Sequence, residues 1–151
     1  MRIALGNDHR GYKLKDAIIH FIETDGHVAL NLGCDSTEPV DYPDFAAQVA
    51  KAIVNGEADR GILICASGIG MSIAANKHRG IRAALCCTPE MAIRARLHND
   101  ANVLCLGADF VNTETALQIA QNFIHTNFEG GRHQWRLDKI AEMECGLLDN
   151  K

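Results

Sequence analysis

Five short apolar runs, each followed by an amphipathic segment, constrain this 151-residue chain more than any other feature. The runs are Arg2–Gly6, His27–Leu32, Gly61–Cys65, Ile81–Cys86 and Asn102–Leu106. Nearly every residue in them is apolar, whereas a strand with one wet face would alternate, so they predict parallel strands covered on both faces. Between them, Leu14, Ile18 and Phe21 share one helical stripe, Phe45, Val49 and Ile53 a second, and Ala116, Ala120 and Phe123 a third. Segments 68–77 and 89–97 are also helical in composition, with Pro89 suited to a first turn. A last helix is expected from about Arg132, turning Leu137, Ile140 and Ala141 inward. Strand and helix alternating through short connections predict a right-handed, doubly wound α/β sandwich. With no linker or repeat, the chain fits a single domain over 1–151.

Composition narrows the class. Hydrophobic residues make up 47%, enough for a core, and no apolar run approaches the length of a membrane span. A net charge of −4 argues against non-specific binding to nucleic acid or to an acidic membrane. The amino-terminal apolar stretch is too short for a signal peptide, so a cytoplasmic protein is expected. Six cysteines are present, four of them in or at the end of strand-like runs, and none forms a Cys-x-x-Cys pair. Reduced thiols are therefore expected, with no zinc site and no redox dithiol.

In a doubly wound sheet, ligands bind outside the carboxyl ends of the strands. After the first strand come Asn7-Asp8-His9-Arg10-Gly11. Asp8 there fits a helix cap, but His9 and Arg10 beside it add donors suited to a sugar hydroxyl or phosphate. After the third come Cys65-Ala66-Ser67-Gly68-Ile69-Gly70-Met71-Ser72. Small residues opening into a helix offer backbone N–H groups that can hold a phosphate or a developing oxyanion. A thiol at that point faces a dipole favouring its thiolate. The stretch lacks the Gly-Lys-Ser/Thr of a P-loop, and Ile73 stands where a dinucleotide fingerprint needs its third glycine. His98-Asn99 precede the fifth strand, at the amino end rather than the carboxyl end; a long preceding helix would return them to the site. Arg132 and Arg136, four apart, would share a helical face and match a phosphate dianion.

Together with Asp41-Tyr42-Pro43, Gly80-Ile81-Arg82-Ala83 and Phe128-Glu129-Gly130-Gly131-Arg132-His133, these segments resemble ribose-5-phosphate isomerase type B, of the ribose/galactose phosphate isomerase family. They occur in family order, and the block from Cys65 to Lys77 is close to diagnostic alone. The resemblance implies a Rossmann-like three-layer α/β/α sandwich with a five-stranded parallel sheet. It also implies a homodimer, possibly a dimer of dimers, with sites built from both subunits and no metal or organic cofactor. Its last helix would pack on the partner subunit. Cys65 would be the base that removes the proton beside the carbonyl, with the Ser67 hydroxyl nearby, and His98 would assist ring opening. Asp8, His9 and Arg10 would hold the sugar, Ala66, Gly68, Ile69 and Gly70 would cradle the enediolate, and Asn99, Arg132 and Arg136 would complete the site. An enediolate needs such a positioned base, oxyanion cradle and phosphate clamp.

Two positions depart from the family pattern. Ser67 stands where relatives often carry Thr, and the hydroxyl is kept. Asp109 stands where relatives commonly carry an Arg that contacts phosphate, while Arg10 is a basic residue many relatives lack. Arg10 is expected to compensate, by pairing with Asp109 or by contacting the phosphate. The favoured reaction is ribose 5-phosphate to ribulose 5-phosphate; a four- or six-carbon phosphosugar is the alternative, and a Cys-His hydrolase or acyl transferase a distant one. A nucleotide- or flavin-binding module and a phospho-acceptor domain each account for a single motif.

Overall fold

The computed structural model describes residues 1–146; residues 147–151 of the expected domain lie outside the described residues. Five strands alternate with helices: β1 Arg2–Asn7, α1 Tyr12–Thr24, β2 Val28–Asn31, α2 Tyr42–Val54, β3 Arg60–Cys65, α3 Ile69–Ala75, β4 Ala83–Leu85, α4 Pro89–Asn99, β5 Val103–Gly107 and α5 Thr113–His125. A 3₁₀ turn, Gly131–His133, leads into α6, Gln134–Glu144. The strands form one parallel sheet in the order β2-β1-β3-β5-β4.

Side-chain alternation sorts the central strands between two apolar layers. Ile3, Leu5, Ile62, Ile64, Leu104 and Leu106 face α1, α4 and α5; Ala4, Leu63, Cys65, Val103 and Cys105 face α2 and α3. The three-layer sandwich is thus observed. The two edge strands depart from the expectation of strands covered on both faces, since β2 and β4 are half-buried or exposed. Strand β4 is also shorter than expected. The Asn102 side chain takes the Arg82 N–H at 2.8 Å, and Asn76 bonds both backbone groups of Ala83. Side chains replace the ladder there. Phe21 is only half-buried and Ile22 fills the α1 core position. In α6 Leu137 is buried, but Ile140 and Ala141 are exposed, against expectation. The helix lies at the rim, tied through Glu144 to Arg79 and Gly80, and among the described residues no layer covers its apolar side. Among the described residues no helix is long and apolar enough to cross a membrane.

The chain runs from β1 outward to β2 and then back past β1 to β3, so strand order reverses between β1 and β3. A crevice opens at the carboxyl ends of such a pair. Asp8 is fastened there by its N–H to the Ile64 carbonyl at 3.1 Å. Gly11, the N-cap of α1, sits so close to β3 that a Cβ would lie 2.7 Å from the Ile64 oxygen. Gly11→Ala should therefore cost about 1–3 kcal/mol through overpacking, read as a lowered melting temperature in calorimetry.

Candidate active site

Cys65 ends β3, opposite Gly107 of β5. The chain then crosses over Gly107, with the Ala108 N–H on the Cys65 carbonyl at 2.9 Å and the Asp109 N–H on the Ala66 carbonyl at 3.0 Å. A Cβ on Gly107 would meet the Ser67 carbonyl oxygen at 2.6 Å, so a side chain there would displace the turn. Gly68, at φ +75°, starts α3 in the left-handed region. Its N–H donates to Cys65 Sγ at 3.1 Å. The Ser67 hydroxyl accepts the Ile69 N–H at 3.3 Å. The first-turn N–H groups of Gly70 and Met71 have no intrahelical acceptor. Gly70 packs under the Tyr42 ring with no room for a Cβ, a contact that sequence reasoning missed. Among the other buried cysteines, burial pushes the Cys86 thiol up to about 12 and the Cys105 thiol well above its ordinary value.

Asp8 caps the turn rather than the helix. Its carboxylate accepts the N–H groups of Arg10 at 2.8 Å and Gly11 at 3.1 Å. His9 Nδ1 accepts the Val40 N–H at 3.2 Å, which leaves Nε2 as the protonated ring nitrogen when the imidazole is neutral. Arg10 Nη2 spans both Asp109 carboxylate oxygens, at 2.9 and 3.0 Å. The expected pairing of these residues is present. His9, Arg10, Lys13, Thr37, Asp109 and Asn112 line a cleft of about 540 Å³; Cys65 adjoins the cleft through the 65–68 turn without lining it. Two buried groups that sequence reasoning also missed brace this side. The Asn7 amide donates to the Asp8 and Cys34 carbonyls at 2.9 and 3.2 Å, and the Lys15 ammonium binds Asp35 and the Cys34 carbonyl.

His98, Asn99, Arg132 and Arg136 are elsewhere. Helix α4 runs antiparallel to the strands and delivers His98 to the amino edge of the sheet, near Val103, whereas Cys65 is on the carboxyl edge. The expectation that a long helix returns His98 to the Cys65 turn fails for this reason. His98 stacks on His133, ring centroids 4.4 Å apart and planes 12° apart, and Glu129 approaches both rings, at 4.0 and 3.7 Å. Arg136 lies on the other side of His133, Nη1 to Nδ1 at 3.5 Å. Glu129 and His133 are four residues apart, a spacing readable in sequence, but their meeting with His98 depends on the fold. The His98–Glu129–His133 and Asp25–His27–His125 trios each bring three potential metal-ligand atoms within 4.8 Å of one another.

Residues 3–140 match the model of a family described as Ribose/Galactose Isomerase. The chain belongs to the ribose/galactose isomerase family. Within that family it is 46% identical over 143 residues to ribose-5-phosphate isomerase B of Escherichia coli, covering 95% of this chain and 96% of that protein. A putative sugar phosphate isomerase of Bacillus subtilis is 43% identical over 145 residues, covering 95% and 97%. Among solved structures, ribose-5-phosphate isomerase B of Clostridium thermocellum superposes with a TM-score of 0.95 at 48% identity, covering 97% and 99% of the two chains. The type B enzyme of Trypanosoma brucei gives 0.92 at 46%, covering 94% and 97%. The five-stranded parallel architecture is that of these isomerases.

His133 carries a pH signature. Burial, and then the neighbouring His98, hold its imidazole pKa below the ordinary value near 6.5. As pH falls through about 6.5 the unfolded chain takes up that proton first, so stability declines with acidification. Above that window the residue contributes no pH dependence. Melting curves from pH 5 to 8 should show an acid loss in the wild type that His133→Gln reduces.

Proposed function

We propose that the chain is an aldose–ketose isomerase of phosphorylated sugars, converting ribose 5-phosphate to ribulose 5-phosphate without metal or organic cofactor. The observation that carries the reading is the placement of the Cys65 sulfur, 3.1 Å from the Gly68 N–H, at the strand-order reversal. Cys65 thiolate removes the proton from C2. The C–H electrons form the C1=C2 bond as charge moves to O1, where the N–H groups of segment 66–70 stabilise it. Delivery of protons to C1 and O1 and loss of the O2 hydrogen complete the ketose, with two protons removed and two returned and no net change of oxidation state. The Ser67 hydroxyl bears on the same oxygens, Asp8 fixes the turn, and His9 and Arg10 bind the sugar from the cleft.

The remaining groups come from a second copy of the chain. His98, oriented by Glu129 and His133, opens the furanose ring, while Asn99, Arg132 and Arg136 hold the substrate and its phosphate. Their position on the opposite edge of the sheet from Cys65 supports a site shared between subunits of a homodimer. So does the apolar surface that α6 leaves open, where Trp135 is 78% and Met143 62% exposed. Dimers associating further would be compatible with the same arrangement. All five strands join one sheet, which supports one isomerase domain, and six free cysteines suit a reducing cytoplasm. The Arg10–Asp109 pair favours one second reading. It replaces a cationic position with a neutralised one, and a four- or six-carbon phosphosugar would then be the better substrate.

A panel of four-, five- and six-carbon aldose phosphates, assayed for ketose formation, should show turnover of ribose 5-phosphate that Cys65→Ala reduces by about a thousandfold or more without unfolding. Turnover confined to another chain length would move the substrate and keep the mechanism; none at all would refute the reading. Unfolding and refolding Cys65→Ala together with His98→Ala should restore about a quarter of wild-type activity, since half the dimers are mixed and each has one intact site. Absence of rescue would refute a shared site.

A further inference from the structure

We propose that Asp25, His27 and His125 form a binding site for a divalent transition metal of the zinc class, separate from the isomerase chemistry. Asp25 is the C-cap of α1, and Gly26, at φ +79°, turns the chain so that His27 follows on the same side. His125 is the last residue of α5, which packs beside α1. The Asp25 Oδ2 atom lies 2.7 Å from His125 Nε2 and 3.3 Å from His27 Nε2, and the three ligand atoms all fall within 4.8 Å of one another.

Bonds of about 2.0–2.2 Å from imidazole and carboxylate place ligand atoms roughly 3.3 Å apart around a tetrahedral ion; the His27 spacing matches that value and the His125 spacing is 2.7 Å. The second indication is His27 Nε2 itself. It is shielded from solvent, faces the carboxylate, and has no hydrogen-bond partner among the described residues. A metal ion would take the Nε2 lone pair of the tautomer that carries its proton on Nδ1. The other ring nitrogen, Nδ1, lies 3.4 Å from the Met1 amino nitrogen, which holds the ring with Nε2 toward Asp25; metal binding would replace the ammonium's donation to Nδ1. Two imidazoles and one carboxylate suit zinc and its neighbours better than magnesium or calcium, and leave a fourth position for water. The trio sits on the amino edge of the sheet, away from Cys65, and draws ligands from the α1–β2 turn and from the end of α5. Metal bound there would staple those two elements, a structural role.

The test is zinc titration by calorimetry in a Cys65→Ser, His98→Gln background, which weakens the competing thiol and imidazole sites, with and without His125→Ala. His125 is half-exposed at a helix end, so its loss should leave the circular dichroism spectrum unchanged. The proposal expects about one zinc ion per chain, weakened at least about tenfold by His125→Ala and likewise by Asp25→Asn. It also expects zinc to raise the melting temperature of the background protein but not of the two further variants. Equal zinc binding with and without His125, or no zinc uptake by the background protein, would overturn it and leave an ordinary ion pair.

Discussion

The close crossing of the 65–68 turn over Gly107 is the constraint on which the rest of the site depends. Strands β3 and β5 end level, Cys65 opposite Gly107, and the chain leaving β3 must pass directly above the end of β5. That passage is possible because Gly107 has no side chain and Gly68 accepts a left-handed backbone. Two β5-side N–H groups then tie the turn down through the Cys65 and Ala66 carbonyls. With the backbone held this way, the Gly68 N–H has little choice but to point at the sulfur. The Cys65 sulfur owes its hydrogen bond to the geometry of two glycines, rather than to a charged neighbour.

What could be read from the sequence follows from what each pattern encodes. Strands β1, β3 and β5 are apolar on every face because they lie in the interior, and that pattern is local. The turns after β1 and β3 were legible for the same reason, since small and polar residues cluster where a strand meets a helix. The shortened β4 was not. Its limits are set by Asn76 and Asn102, and nothing local marks an asparagine side chain as a substitute for a neighbouring strand. Periodicity turned Ile140 of α6 inward, yet the residue is exposed, because periodicity cannot say whether anything in the same chain covers that side.

His98 shows a different limit. Its residue type pointed to chemistry, while its direction is settled by the right-handed crossover, which makes α4 antiparallel to the strands. A residue at the end of that helix must arrive at the amino edge. The His98–His133 stack and the approach of Glu129 follow from two segments, 97–98 and 129–133, joined by the Glu129 N–H on the Leu97 carbonyl. The separation of Cys65 and His98 over opposite edges of one sheet is thus a direct outcome of the topology. It also makes each of the two groups a rigid part of its own scaffold.

The Arg10–Asp109 pair joins two points far apart in the chain into one electrostatic unit. Asp109 alone would present an unbalanced anion to the cleft, and Arg10 alone would lose the carboxylate that fixes its fork. A change at either position therefore changes the net charge of the cleft lining, and the two act as one switchable charge rather than as two independent residues.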